Sequence, residues 1–248
     1  MEKIFEFTQM NIIYNRCILA SIAHAIMNGK YELLSSEQSW DDMNYLFQDF
    51  EGVRGVISFG RDNFICMIQN DDDYLFGENE ILHQLFCNVE KKVCDLAKSE
   101  AMQYLLIEKG NDVLPAASIA FWGDNFHVYS NQSEKDLMKK SNNILLPYLY
   151  KEPDAIQYWK KYYEMNNDQI EFMKEIYYKK SQTNTFIKLD KSMREKLSYW
   201  FGDKITECIN SFKELNIFFE WLWQFCVLTS LEPVGYILMG EELIPMVR

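Results

Sequence analysis

The sequence predicts an α+β protein. Residues 1–150 read as a β-sheet domain built from an internally duplicated helix–hairpin unit, and residues 151–248 as a helical region packed on it. Two observations carry that prediction. The phrase Ile57-x-Phe59-x-x-Asp62-Asn63-Phe64 returns later in the chain as Ile119-x-Phe121-x-x-Asp124-Asn125-Phe126, each time with the alternation and turn residues of a β-hairpin. Beyond Lys151-Glu152-Pro153 the alternation gives way to helical spacing, and proline suits the first turn of a helix.

Taken in order, residues 8–27 form the first helix, because Ile12, Ile13, Cys17, Ile18, Ile22, Ala25 and Ile26 recur at helical spacing and Asn28-Gly29 supplies a stop. A polar connection from Ser35 to Ser39 leads into a strand over 43–49. Gly52 and Gly55 flank Val53-Arg54, and the first hairpin (53–69) runs from Val56–Gly60 to Phe64–Ile68 across Arg61-Asp62-Asn63. The polar run Asn70 to Asp73 ends it. Residues 78–108 are helical by pattern, with Ile81, Leu85, Val89, Val93 and Leu96 along one side. Pro115 opens the second hairpin (115–130), with a turn at Gly123-Asp124-Asn125, where short polar side chains tolerate unusual backbone angles. Helical sequence around Ser133 to Ser141 and apolar sequence from Ile144 to Tyr150 close this half.

The second half reads as helices over 153–164 and 168–180, split at Asn166-Asn167. A third starts at Asp190 or Ser192 and runs toward Ile209, interrupted at Gly202-Asp203, and a fourth covers 212–229. The tail from Glu232 has no clear element. The aromatic residues here, among them Trp159, Tyr162, Tyr163, Tyr177, Tyr178, Trp200, Trp221 and Trp223, are expected chiefly in the core, with some tyrosines on a binding surface.

Composition bounds the function. A chain of 248 residues with 48% apolar and 15% aromatic residues buries a sizeable core and is not a disordered segment. Its net charge of −12 is concentrated toward one end: residues 1–80 hold 14 acidic and 5 basic side chains, whereas the rest is close to balanced. Such a field serves solubility, but it also repels nucleic acid and anionic lipid and draws in basic partners. No basic stripe interleaved with aromatics marks a nucleic-acid surface. The longest apolar run, Leu215 to Leu231, is broken by Asn216, Glu220 and Gln224 and is short for a membrane span. Six cysteines without a C-x-x-C pair, and no secretory leader, point to the cytoplasm.

Phosphate-loop, dinucleotide, zinc-protease and serine-hydrolase motifs are absent from the sequence, and no cofactor or metal is expected. His24, His83 and His127 are too few and too scattered for a zinc site. A nucleophile pair made only by the fold, such as Cys17 or Cys87 with one of these histidines, is the enzymatic alternative: a small hydrolase or transferase with a Cys/His/acid site. The run Asp71-Asp72-Asp73 with Glu78 and Glu80 offers oxygen ligands but lacks the glycine of a calcium loop. It reads as a solvated strand end, or as carboxylates for arginine and lysine on a protein partner.

At Trp40-Asp41-x-x-Asn44-Tyr45, followed by Gly52-x-x-Gly55-x-Ile57-x-Phe59, the sequence resembles a class of bacterial immunity proteins from polymorphic toxin systems. Leu114-Pro115 leading to Phe121-Trp122-Gly123 is similar to a second phrase of such proteins, and Asp42 stands where they carry glycine. The resemblance covers residues 40–125 and does not extend to 151–248. It implies an antitoxin without chemistry of its own, which binds a cognate toxin domain and blocks its active site; the acidic charge adds the expectation that this domain is basic. Asp41, Asp42, Asp49, Glu51, Asp71, Asp72 and Asp73 are the expected contact residues, and Trp40 and Trp122 serve packing as readily as contact. A third reading, a phage or host inhibitor mimicking nucleic-acid charge, requires acids strung along an extended face.

Overall fold

The computed structural model describes residues 2–5, 8–31, 36–183, 185–220, 236–239 and 242–245. In chain order its first elements are β1 (Glu2–Ile4), α1 (Met10–Met27), β2 (Gln38–Asp41), β3 (Asn44–Gln48), β4 (Val53–Phe59), β5 (Asn63–Asn70), β6 (Leu75–Phe76), α2 (Glu78–Leu85) and α3 (Lys91–Leu96). A π-helical turn (Ala97–Ala101) and a 3₁₀ turn (Met102–Tyr104) extend α3. Then come β7 (Leu106–Lys109), β8 (Asp112–Ala117), β9 (Ile119–Asp124), β10 (Val128–Ser130), α4 (Glu134–Lys140), α5 (Leu146–Leu149), α6 (Glu152–Tyr162), α7 (Asn167–Ser181), β11 (Ile187–Leu189), α8 (Lys191–Phe201), α9 (Ile205–Glu214) and β12 (Ile217–Phe219). The chain is therefore mixed helix and sheet, in keeping with an α+β class.

The frame is a seven-stranded sheet in the order β1-β10-β9-β5-β4-β3-β2, antiparallel throughout. Alternation assigns its two faces. Tyr45, Phe47, Val53, Ile57, Phe59, Phe64, Cys66, Ile68, Ile119 and Phe121 enter one core with α1 and the helices from α5 onward. Val56, Ile65, Met67, Ala120 and Trp122 enter the other, beneath α2 and α3. Because both faces are covered, the central strands are apolar at nearly every position, as expected for a sheet without a wet side. Burying a side chain such as Phe121, which is fully enclosed, contributes about 2–3 kcal/mol.

Helix α1 is buried from Arg16 to Met27 because it lies between the sheet and the later helices; α5, α6, α7 and α9 all pack against it. Arg16, itself buried, ties α1 to that layer. Its Nε donates to the Tyr150 carbonyl at 3.1 Å and its guanidinium to the Tyr177 hydroxyl at 3.0 Å, with Glu152 at 3.4 Å. One continuous core thus runs across the Lys151 junction, from Ile4 to Phe219.

Several elements differ from expectation. The helical pattern over 78–108 breaks after Leu85 and ends at Tyr104. Leu106–Lys109 instead forms a hairpin with Asp112–Ala117, and Gly110 takes φ +68° in its turn, a conformation glycine adopts without strain. Pro115 accordingly lies in β8, part of a separate three-stranded sheet β6-β8-β7, and the second hairpin of the main sheet starts only at Ile119. Its turn also falls later: β9 runs through Gly123 and Asp124, and Gly123 pairs with Val128. The first hairpin pairs Phe59 with Phe64. The repeated phrase therefore meets its two turns out of step, burying Phe64 completely while leaving Phe126 75% exposed.

In the second half, the interruption at Gly202-Asp203 is a 3₁₀ turn separating α8 from α9. The fourth helix expected over 212–229 is not continuous, because Ile217–Phe219 pairs parallel with Ile187–Leu189; its remainder from 221 onward lies outside the described residues. In the tail, β13 (Tyr236–Met239) and β14 (Glu242–Pro245) pair antiparallel. No helix among the described residues is long and apolar enough to cross a membrane.

Candidate functional site

The seven acidic residues singled out from sequence do not form one surface. Strand β4 is seven residues long, so the turns at its two ends lie roughly 20 Å apart. Asp41 and Asp42 belong to the β2–β3 turn at one end. Asp49 and Glu51 belong to the β3–β4 turn at the other, where Asp71, Asp72 and Asp73 also emerge from β5. The Asp71 N–H donates to the Gly52 carbonyl at 3.1 Å, so the acidic run and the β3–β4 turn are contiguous. An antiparallel strand carries consecutive turns to opposite ends, so Asp41 and Asp42 stand apart from the other five.

Within the five-acid end, several carboxylates have local work. Asp49 Oδ1 accepts from the backbone N–H groups of Glu51 and Val53 at 2.8 and 2.9 Å, which shapes the turn. Gly52 takes φ +87°, and a Cβ there would meet Asp71 Oδ2 at 2.8 Å. Asp71 accepts from Gln69 Nε2 at 2.5 Å, and Asp73 pairs with Lys140 Nζ at 2.7 Å. Glu51 and Asp72 are exposed and make no ion pair among the described residues.

Beside this turn lies a cleft of about 300 Å³. Glu37 just before β2, Gln38 from β2, Phe47 from β3 and the Asp49–Glu51 turn form one wall; Tyr148, Tyr158, Trp159 and Tyr162 form the other. Helix α6 can supply this aromatic wall because Tyr158/Tyr162 and Trp159/Tyr163 are i, i+4 pairs. Both pairs stack, with ring centroids 6.0 and 5.6 Å apart. At the lip Phe50 is 69% exposed, an aromatic side chain held in water between two acids.

The buried end of the cleft is polar. Glu37 is only 3% exposed, yet its carboxylate accepts from the hydroxyls of Tyr162 at 3.1 Å and Tyr163 at 3.4 Å. Burial pushes its carboxyl above the ordinary value; the two hydroxyls oppose that shift and the charge of Asp49 adds to it. No lysine or arginine among the described residues pairs with it. A chain of hydrogen bonds continues inward. Gln38 Nε2 donates to the Tyr163 hydroxyl, the Tyr45 hydroxyl donates to Gln38 Oε1, and the Tyr45 and Tyr148 hydroxyls are 3.0 Å apart. Trp159 Nε1 is buried with no acceptor among the described residues.

The opposite end of the sheet spends its acids on structure. Asp41 accepts from the Tyr104 hydroxyl at 2.7 Å; burial, with that hydrogen bond and charge, pushes Tyr104 up to about 12. Asp124 Oδ1 accepts from the backbone N–H groups of Phe126 and His127. Asp42 sits at φ +53°, a conformation that favours glycine. Trp40 and Trp122 are packing residues: Trp40 donates to Ser21 and packs against Tyr14, Tyr45 and Phe59, while Trp122 is 3% exposed beside Phe86.

A second hollow, more open and about 430 Å³, is lined by Gly29, Lys30, Glu164 and Trp200. Lys30 and Glu164 neutralise each other there at 3.1 Å, so it presents no unbalanced charge. Among the described residues no cluster of His, Cys, Asp and Glu could hold a metal ion. His83 is exposed and His127 half-buried, and neither side chain hydrogen-bonds to a cysteine or carboxylate among the described residues. Cys17, Cys66 and Cys208 are buried thiols raised by burial, and Cys226 lies outside the described residues.

Sequence reasoning missed Glu37, which looked like part of a polar connection. Its partners stand 125 and 126 residues away, and no local pattern announces them. The aromatic wall was partly visible as i, i+4 spacing in α6. No protein-family model matches the chain, and neither does any curated protein or solved structure.

Proposed function

We propose that this protein is an immunity-type inhibitor that works in the cytoplasm. It binds a basic toxin domain through the acidic end of its sheet and occludes that domain's active site. The observation that carries the reading is the aromatic-walled cleft lined by Asp49, Glu51 and the exposed Phe50, with Asp71 and Asp72 contiguous with that turn. Aromatic anchors ringed by charge of one sign are what a partner of opposite charge selects, and the field speeds encounter. Asp42 at φ +53° agrees with the resemblance to immunity proteins, which carry glycine at that place. The clustering of acids at one end favours a compact docking surface over mimicry of a phosphate ladder.

The test is affinity purification of the tagged protein from its native cells at low salt, beside a variant with Glu51, Asp71 and Asp72 changed to lysine. The expected result is one stoichiometric partner with a basic domain, released by high salt and lost from the variant. A preparation with no partner, or with a partner held equally by the variant, overturns the reading.

A further inference from the structure

We propose that the cleft between the Asp49–Glu51 turn and α6 is a receptor for one arginine side chain of the protein partner. This rests on the preceding reading that the partner is basic, and it names the group that anchors it.

Charge is the first argument. The residues lining the cleft include Glu37, Asp49 and Glu51 and not one lysine, arginine or histidine. Glu37 is the unusual member: a buried carboxylate that meets two tyrosine hydroxyls but no cation among the described residues. A carboxylate taken out of water without a counter-charge is costly, and an incoming cation relieves that cost. Asp49 and Glu51 at the mouth attract the same cation before it enters.

Shape and surface choose the kind of cation. The walls are the rings of Tyr158, Trp159 and Tyr162 together with Phe47 and Tyr148. A guanidinium is planar and weakly hydrated, stacks on aromatic faces, and offers several N–H donors to a carboxylate. The space, about 300 Å³, suits a side chain. Trp159 Nε1, at the same wall, is buried without an acceptor among the described residues.

The experiment titrates the full chain with N-acetylarginine methylamide and with its neutral isostere N-acetylcitrulline methylamide. Calorimetry and the indole N–H resonance of Trp159 follow binding. The arginine amide is expected to bind at least about tenfold more tightly than the citrulline amide. That preference should disappear in Glu37→Gln, weaken in Tyr158→Leu, and persist in Asp42→Asn at the far end. Because Glu37 must ionise to receive the cation, arginine affinity of the unaltered chain should rise with pH through the titration of Glu37, a readout that needs no variant. Equal binding of the two amides, no binding of either, or a preference that survives Glu37→Gln overturns the proposal. If the amides fail while the native partner is still captured, only the arginine receptor falls. If the arginine preference is present and no basic partner is captured, the toxin-binding reading falls.

Discussion

The two ends of the central sheet use their acidic residues differently. At the far end Asp41 receives the Tyr104 hydroxyl, and Asp124 receives two backbone N–H groups of its own turn. At the near end Asp49 also shapes a turn, but Glu51 and Asp72 stand exposed without ion pairs among the described residues, and Glu37 is buried beside a cleft without a cation. The contrast teaches that an acidic residue predicts a binding surface only when its hydrogen-bonding capacity is not already used by the fold.

The largest expected effect separates the ends directly. Reversing Glu51, Asp71 and Asp72 to lysine should weaken partner binding on the order of a hundredfold and flatten its salt dependence. Reversing Asp41 and Asp42 should change it only a few fold by the same principles, as read by surface plasmon resonance at two salt concentrations. Equal losses at both ends would erase the distinction.

Backbone geometry gives the next comparison. Gly52 at φ +87° faces Asp71, so Gly52→Ala should cost about 2 kcal/mol in urea unfolding. Asp42 at φ +53° stands in a position suited to glycine, so Asp42→Gly should stabilise by about 0.5 kcal/mol. Opposite signs are the expected result, and a stabilising Gly52→Ala would show that the near-end turn relaxes away from this conformation.

The smallest effect is a pH slope. Burial raises the Glu37 carboxyl above its usual 4.5, against the Tyr162 and Tyr163 hydroxyls and with Asp49. The folded protein therefore holds that proton more tightly than the unfolded chain does. Its contribution to stability is greatest below pH 4.5 and is lost as pH rises through the folded value. Glu37→Gln should flatten this limb of the stability–pH curve; an unchanged slope would mean that Glu37 is solvated in the folded protein.

Local pattern made much of the fold legible. Alternation from Val53 to Ile68 specified a hairpin, and the spacing from Ile12 to Ile26 specified α1. The β7–β8 hairpin was hidden because Tyr104 and Ile107 continue the helical spacing of Ile81, Leu85, Val89 and Val93, and only Gly110-Asn111 betrayed the turn. The repeated phrase overlaps two antiparallel strand pairs, β4–β5 and β9–β10, whose turns fall at different places within it.

By itself the sequence determined the alternating strands, the first helix and the excess of acid before residue 80, because these follow from periodicity and composition along the chain. Only the tertiary structure decided which acids share a surface and which carboxylate lacks a cation. Antiparallel pairing sends Asp42 and Asp49 to opposite ends although they are near neighbours in sequence. The fold brings Glu37, just before β2, to Tyr162 and Tyr163 at the C-terminal end of α6. Proximity in space is set by burial of the two core faces, which act on apolar side chains and carry the polar ones to wherever the backbone then places them.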